Sequence, residues 1–447
     1  MPTQVPTAEE FAALEARVAA LEGSSRPPGE PPPPDTEDVQ ARRICDLVEI
    51  FGVNTFSSAD QNNLWGSWPA DYRAETVIKA LKWMLGDSGF ALRIREYHYA
   101  GREKWQTPWL DQIAKAIPGT RASVCVGANG GDDDAASVVA MMNDRPDLWV
   151  WGEAINEPNT DFGEGEVAPE TVAAMQAKMN AACTRKNALM GPSVVAGMPR
   201  PDAYIAAYFG SEELQKTVCD NLNYANGHYY PPHSPDLIGD GTSLTDYIGG
   251  LWSAYRKHVV QITEFHPTLY GTPRPVATAA AAPDNRDVYY GMLSLFRCAS
   301  CSVGLWWYAL FDYGSTYQCG LFPRDDSNPR GFAQALRRLC AVTGDRGADK
   351  RSFAPGKLAY SVQGMEGRPI YCDTYQASDG RFFLALWRSE ADAGGPALPV
   401  TFTFGKSAKR LAEYDILAHD EAVQAKTDAS QLTVRLDAGC RIIVIEA

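Results

Sequence analysis

The sequence predicts an α/β protein: a (β/α)8 TIM barrel, then a C-terminal all-β sandwich-like domain, with a short coiled-coil and linker segment at the N-terminus. Three observations carry this expectation. From about residue 40 to 345, short apolar strands alternate with helix-length amphipathic stretches. Two of those strands, Leu148–Ile155 and Val259–Phe265, deliver a Glu at or just past their carboxyl ends, as barrels present reacting groups. After about residue 352 the helical period stops and alternating, turn-punctuated runs take over.

The elements follow in order. Within 1–22, Phe11, Leu14, Val18 and Leu21 fall at spacings of 3, 4 and 3, an a/d seam that suggests a helix over residues 8–22, read either as a self-pairing segment that makes a homo-oligomer or as a frayed amphipathic tail. Residues 23–37 are proline-rich and poor in apolar groups, hence a spacer. Residues 38–350 form the barrel. Its strands are expected near Gly52–Phe56, Phe90–Arg95, Ala122–Val126, Leu148–Ile155, Ser193–Ala196, Leu222–His228, Val259–Phe265 and Val303–Tyr308. Helices are expected between them at Ala74–Leu85, Trp109–Ala116, Ala135–Asn143, Glu170–Lys186, Thr245–Lys257 and Arg286–Phe296. A doubly wound sheet would show a glycine-rich phosphate turn after its first strand, and Gly52–Phe56 offers none. Residues 351–447 form the β domain, with strands at Arg381–Arg388, Val400–Phe404, Gln431–Leu436 and Arg441–Ile445.

Composition narrows the chemistry. A formal net charge of −14 over 447 residues argues against nucleic acid and against an anionic membrane surface, both of which call for clustered Lys and Arg. No apolar run approaches the length that spans a bilayer. The N-terminus carries no Sec-type signal, which suggests a cytoplasmic protein, or one reaching a virion or the exterior by a non-classical route. Ten cysteines at irregular spacings read as reduced, buried thiols, including the lone Cys298-Ala-Ser-Cys301. Six histidines show no zinc-type spacing, and no phosphate-binding motif appears, so no metal and no cofactor are expected.

Glu157 and Glu264 are the candidate reacting groups. Cleaving a glycosidic bond takes one carboxyl that protonates the leaving oxygen and one carboxylate that faces the anomeric carbon, in different surroundings. Glu157 stands between Asn156 and Pro158, and Glu264 follows the apolar strand through Ile262 and Thr263. Tryptophans 65, 68, 105 and 109, in polar loop sequence, either form outer sugar subsites or cover the barrel mouth.

Asn156-Glu157-Pro158 after one strand, with Ile262-Thr-Glu-Phe265 on a later one, resembles the clan A retaining glycoside hydrolases over about residues 45–345. The strand-seven sequence and the β domain look most like glycoside hydrolase family 39, with families 5 and 30 as alternatives. Ile155 stands where family 39 members often carry an aromatic. The resemblance implies a retaining β-glycosidase acting on an oligo- or polysaccharide, with Glu157 as acid/base and Glu264 as nucleophile. It also implies a substrate-binding set. Asn156 would meet a sugar hydroxyl, and Arg93 matches the strand-two arginine near the nucleophile, with Arg95 on the same strand face as the other choice. His228 and Tyr230 match a His-x-Tyr pair, and Trp307, or else Trp306, matches the tryptophan that floors the cleavage subsite. The rival reading is a carbohydrate-binding virion or surface component built on the same barrel, such as a phage tail-associated depolymerase.

Overall fold

The computed structural model describes residues 36–57, 72–160, 165–184, 188–194, 201–230, 244–266, 285–312, 319–323, 329–366, 370–388, 397–437 and 439–446. The expected coiled-coil helix at 8–22, most of the proline-rich spacer, and Trp65 and Trp68 lie outside these residues.

Two short strands come first, β1 (Glu37–Gln40) and β2 (Arg42–Arg43). The barrel follows as β3 (Phe51–Thr55), β4 (Arg93–His98), β5 (Arg121–Val126), β6 (Trp149–Ile155), β7 (Leu189–Met190), β8 (Tyr224–Tyr229), β9 (Val259–Phe265) and β10 (Gly304–Trp307). These eight strands are parallel and close in chain order, with β10 pairing back onto β3. Strands buried on both faces need apolar residues throughout rather than alternation, which is why Val53, Ile94, Val124, Ala154 and Ile262 are all inaccessible. The fifth strand is a correction. It falls at Leu189–Met190, not Ser193–Ala196, and Ser193 instead makes an isolated bridge to Asn156.

The helices pack outside. Ala74–Leu85 matches its expected span and buries Val77, Ala80, Leu81, Met84 and Leu85, a stripe at helical spacing. Glu103–Ala116 and Asp132–Asp144 begin earlier than apolar periodicity alone suggests, because their first turns are polar. Among the described residues no helix is long and apolar enough to cross a membrane. None of the ten cysteines is in a disulfide, and nine of them are buried.

The second sheet consists of β1, β2, β11 (Lys357–Gln363), β12 (Ile370–Gln376), β13 (Phe382–Arg388), β14 (Leu398–Asp415), β15 (Ala422–Leu436) and β16 (Arg441–Glu446). The sheet is antiparallel apart from the β2–β12 pairing. β11 and β12 were not expected from the sequence. Nor was the pairing of β1 with β11 and of β2 with β12, by which the chain threads the second sheet before entering the barrel. The long β14 pairs with β11 in its first half and β16 in its second, bending the sheet around a core of Phe402, Leu411, Leu432 and Ile443. The other face packs on barrel helices, with Trp387 against Phe296 and the Tyr289 hydroxyl donating to the Arg388 carbonyl at 3.3 Å.

Candidate active site

The carboxyl ends of β6, β8 and β9 bring Glu157, His228 and Glu264 together. One carboxylate oxygen of each Glu and one ring nitrogen of His228 lie within 4.8 Å of one another. Glu264 reaches this place through a register shift between Gly227 and His228, which sets His228 directly opposite it. Glu157 sits two residues past β6 with φ 45°, a left-handed conformation that non-glycine residues adopt at an energetic cost. Its N–H donates to Ser193 Oγ at 3.2 Å, so the odd fifth crossing helps hold the turn.

Glu264 is nearly closed off from solvent and accepts from three donors. Arg95 Nη1 lies 2.7 Å from Oε1, the Tyr97 hydroxyl donates to the same oxygen, and the Tyr230 hydroxyl donates to Oε2. Burial alone would raise its pKa. The nearby His228 and Arg95 charges and the two phenol hydrogen bonds outweigh burial, and the group lies below the usual carboxylate range. Both phenols are pushed far above ordinary tyrosine, first by burial and then by the Glu264 charge, so they remain donors. Glu157 has a different setting. Its side chain is more open, and its principal partner is His228, whose Nδ1 is 2.7 Å from Oε1.

Arg95 joins the parts. Its Nη2 donates to Asn156 Oδ1 at 2.9 Å, Nη1 also reaches Asn54 Oδ1 at 3.0 Å and the Tyr97 hydroxyl at 2.8 Å, and Nε grips Glu153. The arginine beside the candidate nucleophile is therefore Arg95, and Arg93 is a correction. Two residues earlier on a strand means about 6.6 Å nearer the closed end. There Arg93 lies between the Trp151 and Trp306 rings and donates from Nη1 to Gln261 Oε1 at 3.2 Å.

The two tryptophans are corrected by the same alternation. Gly304 and Trp306 face into the barrel floor, where Trp306 is inaccessible and set edge-on to Trp151. Trp307 then faces outward. It stacks on Phe332 at 4.4 Å and donates to the Cys319 carbonyl at 3.0 Å, so it packs barrel against helix. The residue facing the mouth is Tyr308, half-buried, with its ring edge-on to Tyr230 at 6.2 Å and to Phe56 at 6.0 Å. Trp109 is likewise core, its indole donating to the Tyr72 carbonyl at 2.7 Å.

Tyr97, Glu153, Ser193 and Tyr308 were not among the residues expected at the site. Tyr97 and Glu153 had a signal, since each shares an inward strand face with a candidate residue. The triangle of Glu157, His228 and Glu264 is also close enough to surround a cation. Arg95 already brings positive charge to Glu264, so a second cation there would meet repulsion.

No family model matches the sequence, and no curated protein matches it. Solved structures do match. A GH30 endoxylanase from Clostridium papyrosolvens C71 superposes with a TM-score of 0.54 at 13% identity, covering 93% of this chain and 98% of that one. A conserved exported protein from Bacteroides fragilis matches with a TM-score of 0.48 at 11% identity, covering 92% and 98%. An endo-laminarinase from Formosa Hel1_33_131 matches with 0.45 at 12% identity, covering 62% and 83%. The endoxylanase match runs through barrel and β domain alike, so the two-domain layout is a shared fold. Of the families suggested by the motifs, 30 is the one to which that endoxylanase belongs.

Proposed function

We propose that this protein is a retaining β-glycosidase that hydrolyses an oligo- or polysaccharide by double displacement, with Glu264 as nucleophile and Glu157 as acid/base. The observation that carries this reading is the separation of the two carboxylates. Oxygens within 4.8 Å suit direct attack on the sugar. A retaining pair stands about 5–5.5 Å apart, whereas an inverting pair needs about 6.5–9.5 Å to admit water between them.

The surroundings fit the two roles. Arg95, Tyr97 and Tyr230 keep Glu264 ionised and aimed. A Glu264 oxygen attacks the anomeric carbon as the bond to the leaving oxygen breaks, and Glu157 gives that oxygen its proton. Esterified, Glu264 no longer carries charge, so Glu157 can hold the negative charge itself. Glu157 then takes a proton from water as the water oxygen attacks the same carbon, and the bond electrons return to Glu264. Asn156, its oxygen fixed by Arg95, has an amide nitrogen left to donate to a sugar hydroxyl.

The test is a panel of 2-deoxy-2-fluoro glycosides followed by peptide mapping. Covalent label on Glu264 is the expected result, and Glu264→Ala should be inactive until azide takes the place of the lost carboxylate. Turnover with no label, or label on another residue, would refute the assignment.

A further inference from the structure

A third carboxylate lies beneath the pair. Glu153, four residues before Glu157 on β6, is wholly buried. Arg95 Nε meets both its oxygens, at 3.0 and 2.8 Å. Ser123 Oγ donates to one oxygen and Asn226 Nδ2 to the other at 3.1 Å. Asn226 is itself fixed by Thr263 Oγ1, which donates to Oδ1 at 2.6 Å. Arg95 thus stands between two carboxylates, 2.8 Å from Glu153 and 2.7 Å from Glu264. A buried carboxylate carries a heavy desolvation penalty, and one arginine would suffice to keep Glu264 ionised.

Paired with Arg95 alone, Glu264 would be a strongly stabilised anion and a sluggish nucleophile. We propose that Glu153 is a positioning residue: it fixes the plane of Arg95 and draws off part of its charge, so that Glu264 is aimed by Arg95 without being quenched by it. This rests on reading Glu264 as the nucleophile. The other groups facing Glu264 are Tyr97 from β4, Cys125 from β5, His228 on β8 with Tyr230 just past it, and Glu157 after β6. Tyr97 and Cys125 also accept from Arg95, at Nη1 (2.8 Å) and Nη2 (3.3 Å), but the Nε edge is met by Glu153, whose substitution changes the charge on that edge.

The test uses the full chain, with the Glu264 carboxyl followed by 13C NMR titration and assigned by its loss in Glu264→Gln. The acid limb of kcat/KM on an aryl glycoside is measured alongside. In Glu153→Gln the guanidinium charge is no longer shared, so the titration and the acid limb both move down by about one pH unit. The rate falls about 10- to 100-fold, mostly in kcat. Glu153→Asp keeps the charge but shortens the reach, so the limb returns to its wild-type position while kcat stays low. Ser123→Ala serves if Glu153→Gln does not fold. It takes a donor from Glu153, which leans harder on Arg95, and the Glu264 titration moves up. A folded Glu153→Gln or Ser123→Ala protein with an unmoved Glu264 titration would overturn the proposal, because a merely structural Glu153 lowers Tm and leaves the titration alone. Failure of fluorosugar labelling in the wild type would remove the nucleophile reading, while the NMR titration still decides the coupling.

Discussion

His228 Nδ1 lies 2.7 Å from Glu157 Oε1, with the imidazole fully buried and the carboxylate partly open. The same nitrogen is 3.4 Å from Glu264 Oε2, and the other ring nitrogen is buried without a partner. Tyr247 fixes the strand behind the ring by donating to the His228 carbonyl at 2.5 Å. His228 is therefore held so that Nδ1 points at the carboxylates. On the proposed reading of Glu157 as the acid, removing His228 frees that carboxyl to rotate away from the leaving oxygen. In His228→Ala, glycosides with poor leaving groups should lose about 100-fold or more in kcat, while activated aryl glycosides lose far less. An equal loss across a leaving-group series would mean that His228 does not orient the acid.

Arg95 and Arg93 share a strand face but should behave oppositely on removal. Arg95→Met strands two buried carboxylates, which should cost about 3–5 kcal/mol of stability and abolish turnover. Arg93→Met disturbs the floor between Trp151 and Trp306 and frees Gln261 and the Glu49 carbonyl, none of which touches Glu264, so activity should persist in the folded protein. Parallel urea unfolding and glycosidase assays separate the two. Loss of activity with Arg93 alone would place the functional arginine a layer deeper in the barrel than Arg95.

The same strand shows how much was legible in the sequence. Seven of the eight barrel strands and both candidate carboxylates follow from where apolar runs begin and end, because a strand buried on both faces admits little else. On β4 the inward face was legible too, but not the level along it. Arg93 and Arg95 differ by one alternation, and which one reaches the mouth depends on how neighbouring strands stagger around the barrel. Trp306 and Trp307 fail for a related reason: inward and outward swap with each residue, and the phase is set by Gly304 against Gln261 and Arg93. The short β7 has too few residues to show a period, and β1 and β2 are half-exposed edge pieces whose partners lie some 300 residues on.

Glu264 also makes stability depend on pH in a definite direction. Its folded pKa lies below the ordinary carboxylate value of 4.5, so its charged form contributes stability that is complete above about that pH. The contribution is lost as pH falls from there through the folded value. Tm measured from pH 7 down to 3 should therefore drop more steeply for the wild type than for Glu264→Gln, and the two slopes should agree above about pH 5. Parallel curves throughout would show that the Arg95, Tyr97 and Tyr230 contacts do not favour the ionised form.

Tyr308 and Trp307 are neighbours whose substitution should affect different quantities. Trp307 is packed between Phe332, Phe265 and His266, so Trp307→Ala should destabilise the fold by about 3–5 kcal/mol. Tyr308 stands at the mouth against Tyr230, the phenol that donates to Glu264, and on the proposed glycosidase reading its ring is where the apolar face of the sugar rests. Tyr308→Ala should keep its Tm within a few degrees of the wild type and lose about 10- to 100-fold in kcat/KM, with Tyr308→Phe recovering most of the loss. The Phe variant is the informative one, because it keeps the ring and removes the hydroxyl. If Tyr308→Phe were as impaired as Tyr308→Ala, the hydroxyl rather than the ring face would be what the substrate uses, and Tyr308 would belong with Tyr97 and Tyr230 as a polar contact.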